Sequence, residues 1–142
     1  MRALLDVNVF IALLDKKHAH HKVAGIWFVD HCSTGWASSP LTQNGVIRIM
    51  SNTKYNNPQP LAEVRQKVSD MCNKPAHVFW KDDVSFLDNT FFDKNVVLKG
   101  EHITDVYLLA LAVKNKGRFV TFDHNFPTNA VKRYKSENLI RL

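Results

Sequence analysis

The fold is decided by the stretch ITDVYLLALAVKNKGRFVTFD, residues 103–123. An apolar run of helical length is followed by Gly117 and then by the short apolar run RFVTF. Glycine directly after a helical pattern is a common stop signal, and a short run of β-branched and aromatic residues is typical of a buried strand. The stretch therefore predicts a helix at residues 102–116 followed by a strand at residues 118–122.

The same alternation extends outward to both ends of the chain. Further strands are predicted at RALLD (2–6), WASS (36–39), AHVFW (76–80) and NLIRL (138–142), with amphipathic helices between them. Asn8 is predicted to cap the first helix, Ser39 and Pro40 to start the third, and FLDNTFF (86–92) to form a short aromatic helix. Strands interleaved with helices favour an α/β fold, with a mainly parallel sheet of four to five strands covered on both faces.

Length and composition limit the class of protein. The chain has 142 residues, of which 45% are hydrophobic and 23% charged, so we expect a single folded domain spanning 1–142 and not a disordered chain. The longest apolar run, VYLLALAV, ends at Lys114 and is too short to span a bilayer. Cys32 and Cys72 form no C-x-x-C motif and no secretory leader precedes them, which predicts reduced thiols and a cytoplasmic location.

The charge of the chain is its unusual global property. Nineteen Lys and Arg against thirteen Asp and Glu give a formal net charge of +6 and a pI near 9.4. Such a balance favours encounter with a polyanion such as RNA, although a solvated basic surface explains it equally well. The basic residues are spread along the sequence, so no discrete binding patch is predicted.

Three aspartates occupy the points where predicted buried elements meet a polar edge. Asp6 closes the first strand, Asp105 opens the long helix, and Asp123 follows the strand RFVTF. In an open parallel sheet, ligands bind beyond the carboxyl ends of the strands, where the following helices also start. If the first and fourth strands are neighbours, these three side chains and Gln43, in the first turn of the Pro40 helix, surround one crevice.

Acidic side chains that converge without a basic partner normally bind a divalent cation. We therefore expect Asp6, Asp105 and Asp123 to be catalytic residues and ligands of Mg²⁺, with Mn²⁺ as a substitute. Asn8 and Gln43 are expected to support them through their amide groups, and Thr121 to place its hydroxyl near the site. The alternative for Asp6, Asp123 and Asn8 is a helix cap.

The sequence disfavours two other kinds of site, a phosphatase site and a zinc site. An aspartate after the first strand also begins haloacid-dehalogenase-type phosphatases, but their chemistry needs a second acid where this chain has Asn8. His18, His20, His21 and His31 suggest zinc, but His20 and His21 are adjacent and cannot share one helix face. We expect His102 and His124, which lie beside the aspartates in sequence, to be surface residues.

The segments ALLDVNVFIALLD, SSPLTQNGVIRIMS, ITDVYLLALAV and FVTFDHNF resemble, in order and spacing, the PIN-domain ribonucleases of the VapC toxin family. The resemblance covers nearly the whole chain. It implies a PIN-like three-layer α/β/α sandwich with strand order 3-2-1-4-5. It also implies a magnesium-dependent endoribonuclease acting on tRNA, rRNA or mRNA to arrest translation, a cognate antitoxin as partner, and a homodimer.

On this resemblance, Asp6, Asp105 and Asp123 correspond to the acidic ligands of the family, and Asn8 to the polar residue after the first acid. The chain departs from the family at Gln43, where many relatives carry a glutamate. A neutral amide adds no charge, so metal affinity is expected to be lower. This departure leaves open an alternative function, a degenerate PIN domain that binds RNA or a partner without cutting.

Overall fold

Five short parallel strands form one sheet in the computed structural model, which describes residues 1–142. They are β1 (Ala3–Leu5), β2 (Trp36–Ser38), β3 (His77–Phe79), β4 (Arg118–Thr121) and β5 (Leu139–Arg141). Their spatial order is β3-β2-β1-β4-β5, and every neighbouring pair is parallel. The predicted fold class and strand order are confirmed, including the adjacency of β1 and β4, in which Leu4 is the partner of Phe119.

Helices cover both faces of this sheet. They are α1 (Val7–Leu14), α2 (His21–His31), α3 (Pro40–Met50), α4 (Leu61–Cys72) and α5 (Ile103–Lys114). Because side chains alternate along a strand, Leu5 and Val120 face a core built with α1, α3 and α4, whereas Leu4 and Phe119 face a core built with α5. The alternation seen in the sequence thus produces three layers.

The ends of two helices test the capping predictions. Ser39 caps α3 as predicted, because its Oγ accepts a hydrogen bond from the Thr42 amide at 3.4 Å while Thr42 Oγ1 accepts one from the Ser39 amide at 2.9 Å. The prediction that Asn8 caps α1 is wrong. Strand β1 ends one residue earlier than predicted, so Asp6 occupies the cap position and Asn8 lies exposed inside the first turn.

The predicted aromatic helix at 86–92 does not form. Asp88 Oδ1 accepts a hydrogen bond from the Thr90 amide at 2.8 Å, which stabilises a turn in place of a helix. Phe92 pairs with Val131 in an isolated antiparallel bridge, and the Phe86 ring stacks on the Phe92 ring at 4.1 Å. Residues 80–98 therefore form an irregular segment that packs against the core containing α5. This aromatic packing explains why the segment is rich in phenylalanine.

Two other predictions concern membrane-spanning helices and thiols. No helix combines the length and the apolarity that crossing a bilayer requires. Cys32 and Cys72 are both free thiols, and burial raises the pKa of Cys72.

Helices α1 and α3 approach each other closely at Gly45. A Cβ atom on Gly45 would lie 2.7 Å from Cγ2 of Val7, the first residue of α1. Gly45 therefore allows the first turn of α1, with Asp6 just before it, to lie directly against α3.

We expect Gly45→Ala to destabilise the protein by about 1–3 kcal/mol, because the added methyl overpacks the contact with Val7. The matched control is Gly25→Ala within α2, where a Cβ atom meets nothing within 4 Å. That substitution should stabilise the helix by roughly 0.5–1 kcal/mol. Urea denaturation measures both changes, and effects of the same sign would contradict the assigned packing.

Candidate active site

A cavity of about 580 Å³ opens at the carboxyl edge of the sheet, beyond β1 and β4. All three predicted aspartates line it. The full lining consists of Asp6, Val7, Asn8, Leu41, Asn44, Gly45, Arg48, Ile49, Thr104, Asp105 and Asp123. The structure therefore brings together acidic residues that are separated by as much as 117 positions in the chain.

Each aspartate is positioned by the element beside it. Asp6 directly follows β1, Asp105 is the third residue of α5, and Asp123 lies two residues beyond β4. The pairing of β1 with β4 places the first and last of these side by side, and α5 reaches the same edge because it starts there. Asp6 is buried, Asp105 is half-buried, and Asp123 is exposed.

Thr121 connects two of these residues. Its side chain is fully buried, and its hydroxyl donates a hydrogen bond to Asp6 Oδ2 at 2.8 Å. Thr121 Oγ1 also accepts a hydrogen bond from the Asp123 backbone amide at 3.0 Å. Thr121 thus orients the Asp6 carboxylate and fixes the backbone of Asp123.

The electrostatics of the cavity favour protonated carboxyl groups. Burial, and then the charges of Asp6 and Asp123, raise the pKa of Asp105 to about 7. Burial also raises the pKa of Asp6; the Thr121 hydroxyl and the Val7 amide partly oppose this increase, and the charge of Asp123 adds to it. The aspartates form no ion pair, since the chain's two ion pairs join Lys114 to Asp83 and His102 to Glu101.

The donor atoms suit a hard cation that keeps part of its hydration shell. No three His, Cys, Asp or Glu side chains are gathered tightly enough to hold a metal ion by themselves. Mg²⁺ usually takes one or two protein carboxylates and retains several waters, so it does not require such a cage. The lining offers carboxylate, amide and hydroxyl oxygens and no thiolate or imidazole. The residues therefore fit hydrated Mg²⁺ or Mn²⁺ bound by part of the cluster.

The structure does not bring Gln43 into the cavity. Its Nε2 donates a hydrogen bond to Ser38 Oγ at 2.9 Å, and Asn44 lines the cavity in its place. Successive helical residues point about 100° apart, so a position one residue along the helix faces a different neighbour. The expectation that Gln43 rings the crevice is thus corrected to Asn44, which is equally uncharged.

Sequence reasoning missed other lining residues. Leu41, Asn44 and Arg48 lie three and four residues apart on α3, and this helical spacing was the signal that could have identified them as one face. Thr104, which is exposed, was missed as well, whereas the lining residue Asn8, also exposed, was among the predicted supporting residues. Neither His102 nor His124 contributes to the lining.

We expect Asp105→Asn to stabilise the metal-free protein at about pH 8 by roughly 1–2 kcal/mol, discounted for partial solvent exposure. The raised pKa means that folded Asp105 holds a proton more tightly than unfolded Asp105. Wild-type stability is therefore lost as pH rises from the ordinary pKa of 3.8 through about 7. At about pH 4 the stabilising effect should vanish.

Thermal denaturation at both pH values measures this difference. The control is Asp30→Asn, an exposed aspartate on α2 that lies outside the cavity. An Asp105→Asn effect that is equal at both pH values would contradict the assigned electrostatics.

Comparison with known proteins identifies relatives that match the whole chain. No family model matches. Ribonuclease VapC44 of Mycobacterium tuberculosis is 41% identical over 142 residues, covering 100% of both chains. Ribonuclease VapC39 of the same organism is 41% identical over 125 residues, covering 87% of this chain and 89% of its own. Ribonuclease VapC38 is 36% identical over 135 residues, covering 94% of each.

Solved structures share the fold at low sequence identity. Mycobacterium tuberculosis VapC20, described as a toxin that cleaves the sarcin-ricin loop, superposes with a TM-score of 0.61 at 10% identity, covering 94% of this chain and 98% of its own. VapBC2 from Rickettsia felis, bound to a DNA fragment from its promoter, gives a TM-score of 0.59 at 12% identity, covering 87% of this chain and 89% of its own. Since full-length relatives reach 41% identity, this chain belongs to the VapC ribonuclease family.

Proposed function

We propose that this protein is a Mg²⁺-dependent endoribonuclease that hydrolyses phosphodiester bonds in RNA, with Mn²⁺ as a substitute. The observation that carries the proposal is the cluster of three carboxylates in one cavity, where burial and mutual repulsion raise the pKa of Asp105 to about 7 without a compensating ion pair. Such an arrangement costs folding free energy and is typical of functional sites. The named relatives are ribonucleases, which assigns the substrate class.

The residues of the chain have distinct roles in this proposal. Asp6 and Asp105 ligate the cation directly or through water, and Asp123 ligates it or orients a water. Thr121 holds Asp6 in place through its 2.8 Å hydrogen bond. A divalent cation held by these residues would supply the charge needed to orient the scissile phosphate, activate water and stabilise the leaving oxygen. Asp105 must lose the proton that it holds near neutral pH before it can ligate.

Helix α3 contributes no carboxylate to the cavity, because its lining residues are Leu41, Asn44, Gly45, Arg48 and Ile49. The amide oxygen of Asn44 can accept a hydrogen bond from a metal-bound water, but it adds no charge. With three carboxylates and no fourth, the cavity fits one cation better than two. The absence of a fourth carboxylate also favours the second candidate function, a domain that binds RNA without cutting it.

We further propose that the protein is the toxin of a toxin–antitoxin pair, which inhibits translation by cutting tRNA, rRNA or mRNA. The structural relative VapC20 is a toxin that cleaves the sarcin-ricin loop, and VapBC2 was solved bound to a DNA fragment from its promoter. On α2, Val23, Ile26 and Val29 are 48%, 57% and 74% exposed at helical spacing. An exposed apolar face of this kind suits a protein partner, which supports an antitoxin or a second protomer.

We expect purified protein to cleave structured RNA only when Mg²⁺ or Mn²⁺ is present. Asp6→Asn and Asp105→Asn should each lower the rate by roughly 10²–10³-fold, as removal of a charge-stabilising group does in other enzymes. Asp30→Asn, on the exposed surface of α2, should leave the rate unchanged. Equal cleavage in chelator would refute the mechanism, and RNA binding without any cleavage would favour the second candidate function.

A paired substitution tests which residue of α3 faces the cation. Asn44→Asp should reduce the Mg²⁺ concentration needed for half-maximal cleavage by about 3–10-fold, because a fourth carboxylate would line the cavity. Gln43→Glu adds the same charge one residue away, beside Ser38, and should have little effect. Magnesium titration of cleavage rates compares the two variants. A larger effect from Gln43→Glu would contradict the observed orientation of α3.

A further inference from the structure

The cavity is too small and too acidic to hold a long RNA by itself. Its volume of about 580 Å³ accommodates a phosphodiester with the adjoining sugars, and Arg48 is the one cationic side chain in its lining. Binding of nucleic acid depends on cations that neutralise successive phosphates. The rest of the RNA backbone therefore needs a cationic surface outside the cavity.

The segment between α1 and α2 concentrates positive charge. Residues 16–22, KKHAHHK, contain three lysines and three histidines. Lys16, Lys17 and Lys22 are exposed and form no ion pair. The preceding acid, Asp15, is only 3% exposed and accepts hydrogen bonds from Tyr55 Oη at 2.5 Å and Asn57 Nδ2 at 2.9 Å. Its Oδ1 also accepts a hydrogen bond from the Lys17 backbone amide at 3.0 Å, so Asp15 offsets part of the positive charge beside it. Three lysines against this one carboxylate leave the segment net positive.

This basic segment lies at the same edge of the sheet as the aspartates. The rings of His18 and His20 pack against Phe122, with centroid distances of 6.4 Å and 4.7 Å. Phe122 stands between Thr121, which binds Asp6, and Asp123, which lines the cavity. The basic segment thus packs on the residue that joins Thr121 to Asp123 in the chain.

A second contact connects the basic segment to α3. The bonds from Tyr55 and Asn57 to Asp15 tie the loop after α3 to the end of α1. Lys17 and His18 line a cavity of about 440 Å³ together with Tyr55, Asn56 and Asn57 of that loop. The loop also carries the exposed Lys54, so the cationic surface extends from residues 16–22 toward the helix that bears Arg48.

We propose that residues 16–22 bind the sugar–phosphate backbone of the RNA beside the scissile bond. The inference rests on the proposed ribonuclease function, because it assigns the position of the same substrate. RNA fits this surface better than an acidic protein does, since the surface adjoins the cavity in which a phosphodiester would be cut. The RNA would thereby bind both the acidic cavity and the basic segment at residues 16–22.

The test is a triple substitution of Lys16, Lys17 and Lys22 by Gln, measured in chelator with a fluorescein-labelled RNA hairpin. We expect affinity to fall by about 10-fold or more, and the slope of log affinity against log salt to decrease by about 2, as for the loss of several phosphate contacts. The matched control replaces Lys74, Lys116 and Lys135, which are exposed and precede β3, β4 and β5 at the opposite edge of the sheet. The control should retain wild-type affinity, and both variants should retain wild-type thermal stability.

Cleavage of the same RNA in Mg²⁺ provides the second measurement. In the Lys16, Lys17 and Lys22 variant, KM should rise by about 10-fold while kcat stays unchanged, because lost backbone contacts weaken binding without altering the carboxylates. Absence of cleavage by the wild-type protein would refute the ribonuclease function, but the affinities in chelator would still test the surface. Equal affinity in both triple variants would overturn the inference. Unchanged RNA affinity together with lost binding of a polyglutamate peptide would assign the surface to a protein partner and would likewise overturn it.

Discussion

The parallel pairing of β1 with β4 is the constraint on which the site depends. It places Asp6 and Asp123 at one edge, and the buried Thr121 hydroxyl then joins them through one donated and one accepted hydrogen bond. Asp105 approaches from α5, whose apolar side chains pack on the sheet face opposite α1. Burial of apolar surface on both faces therefore drives three like charges together, and no ion pair compensates for their repulsion.

That repulsion explains why stability and function oppose each other at this edge. A buried carboxyl group with a raised pKa lowers the stability of the folded state at neutral pH, so the cavity makes a net unfavourable contribution that the two cores must offset. The close contact of Gly45 with Val7 belongs to the same arrangement, because it sets the distance between α1 and the face of α3 that carries Asn44 and Arg48. A cation would relieve the repulsion, which gives ligand binding a physical reason to stabilise the fold.

The sequence predicted most of the fold because its signals were local and consistent. The apolar run and Gly117 located α5 and β4, and Ser39 with Pro40 located the start of α3. Errors arose where two local signals competed. Asn8 and Asp6 are both residue types that cap helices, and Asp6 occupies the cap position. The aromatic residues at 86–92 are compatible with a helix, but Asp88 stabilises a turn there. Strand adjacency depends on long-range pairing and came only from the family resemblance. The sequence also could not show that Asn44, and not Gln43, lines the cavity, because this depends on the rotation of α3 about its axis.

The distribution of charge completes the physical description of this edge. The net charge of +6 is spread along the chain, yet folding brings the basic segment at residues 16–22 against Phe122, the residue that precedes Asp123 of the acidic cavity. Asp15 is the acid beside the lysines; it is buried and hydrogen-bonded to Tyr55, and three lysines outweigh its single charge. A polyanion attracted to the basic segment is then repelled by the bare carboxylates until a cation reduces their charge. Under the proposed function, a bound cation would therefore also determine whether RNA can enter the cavity beside the basic segment.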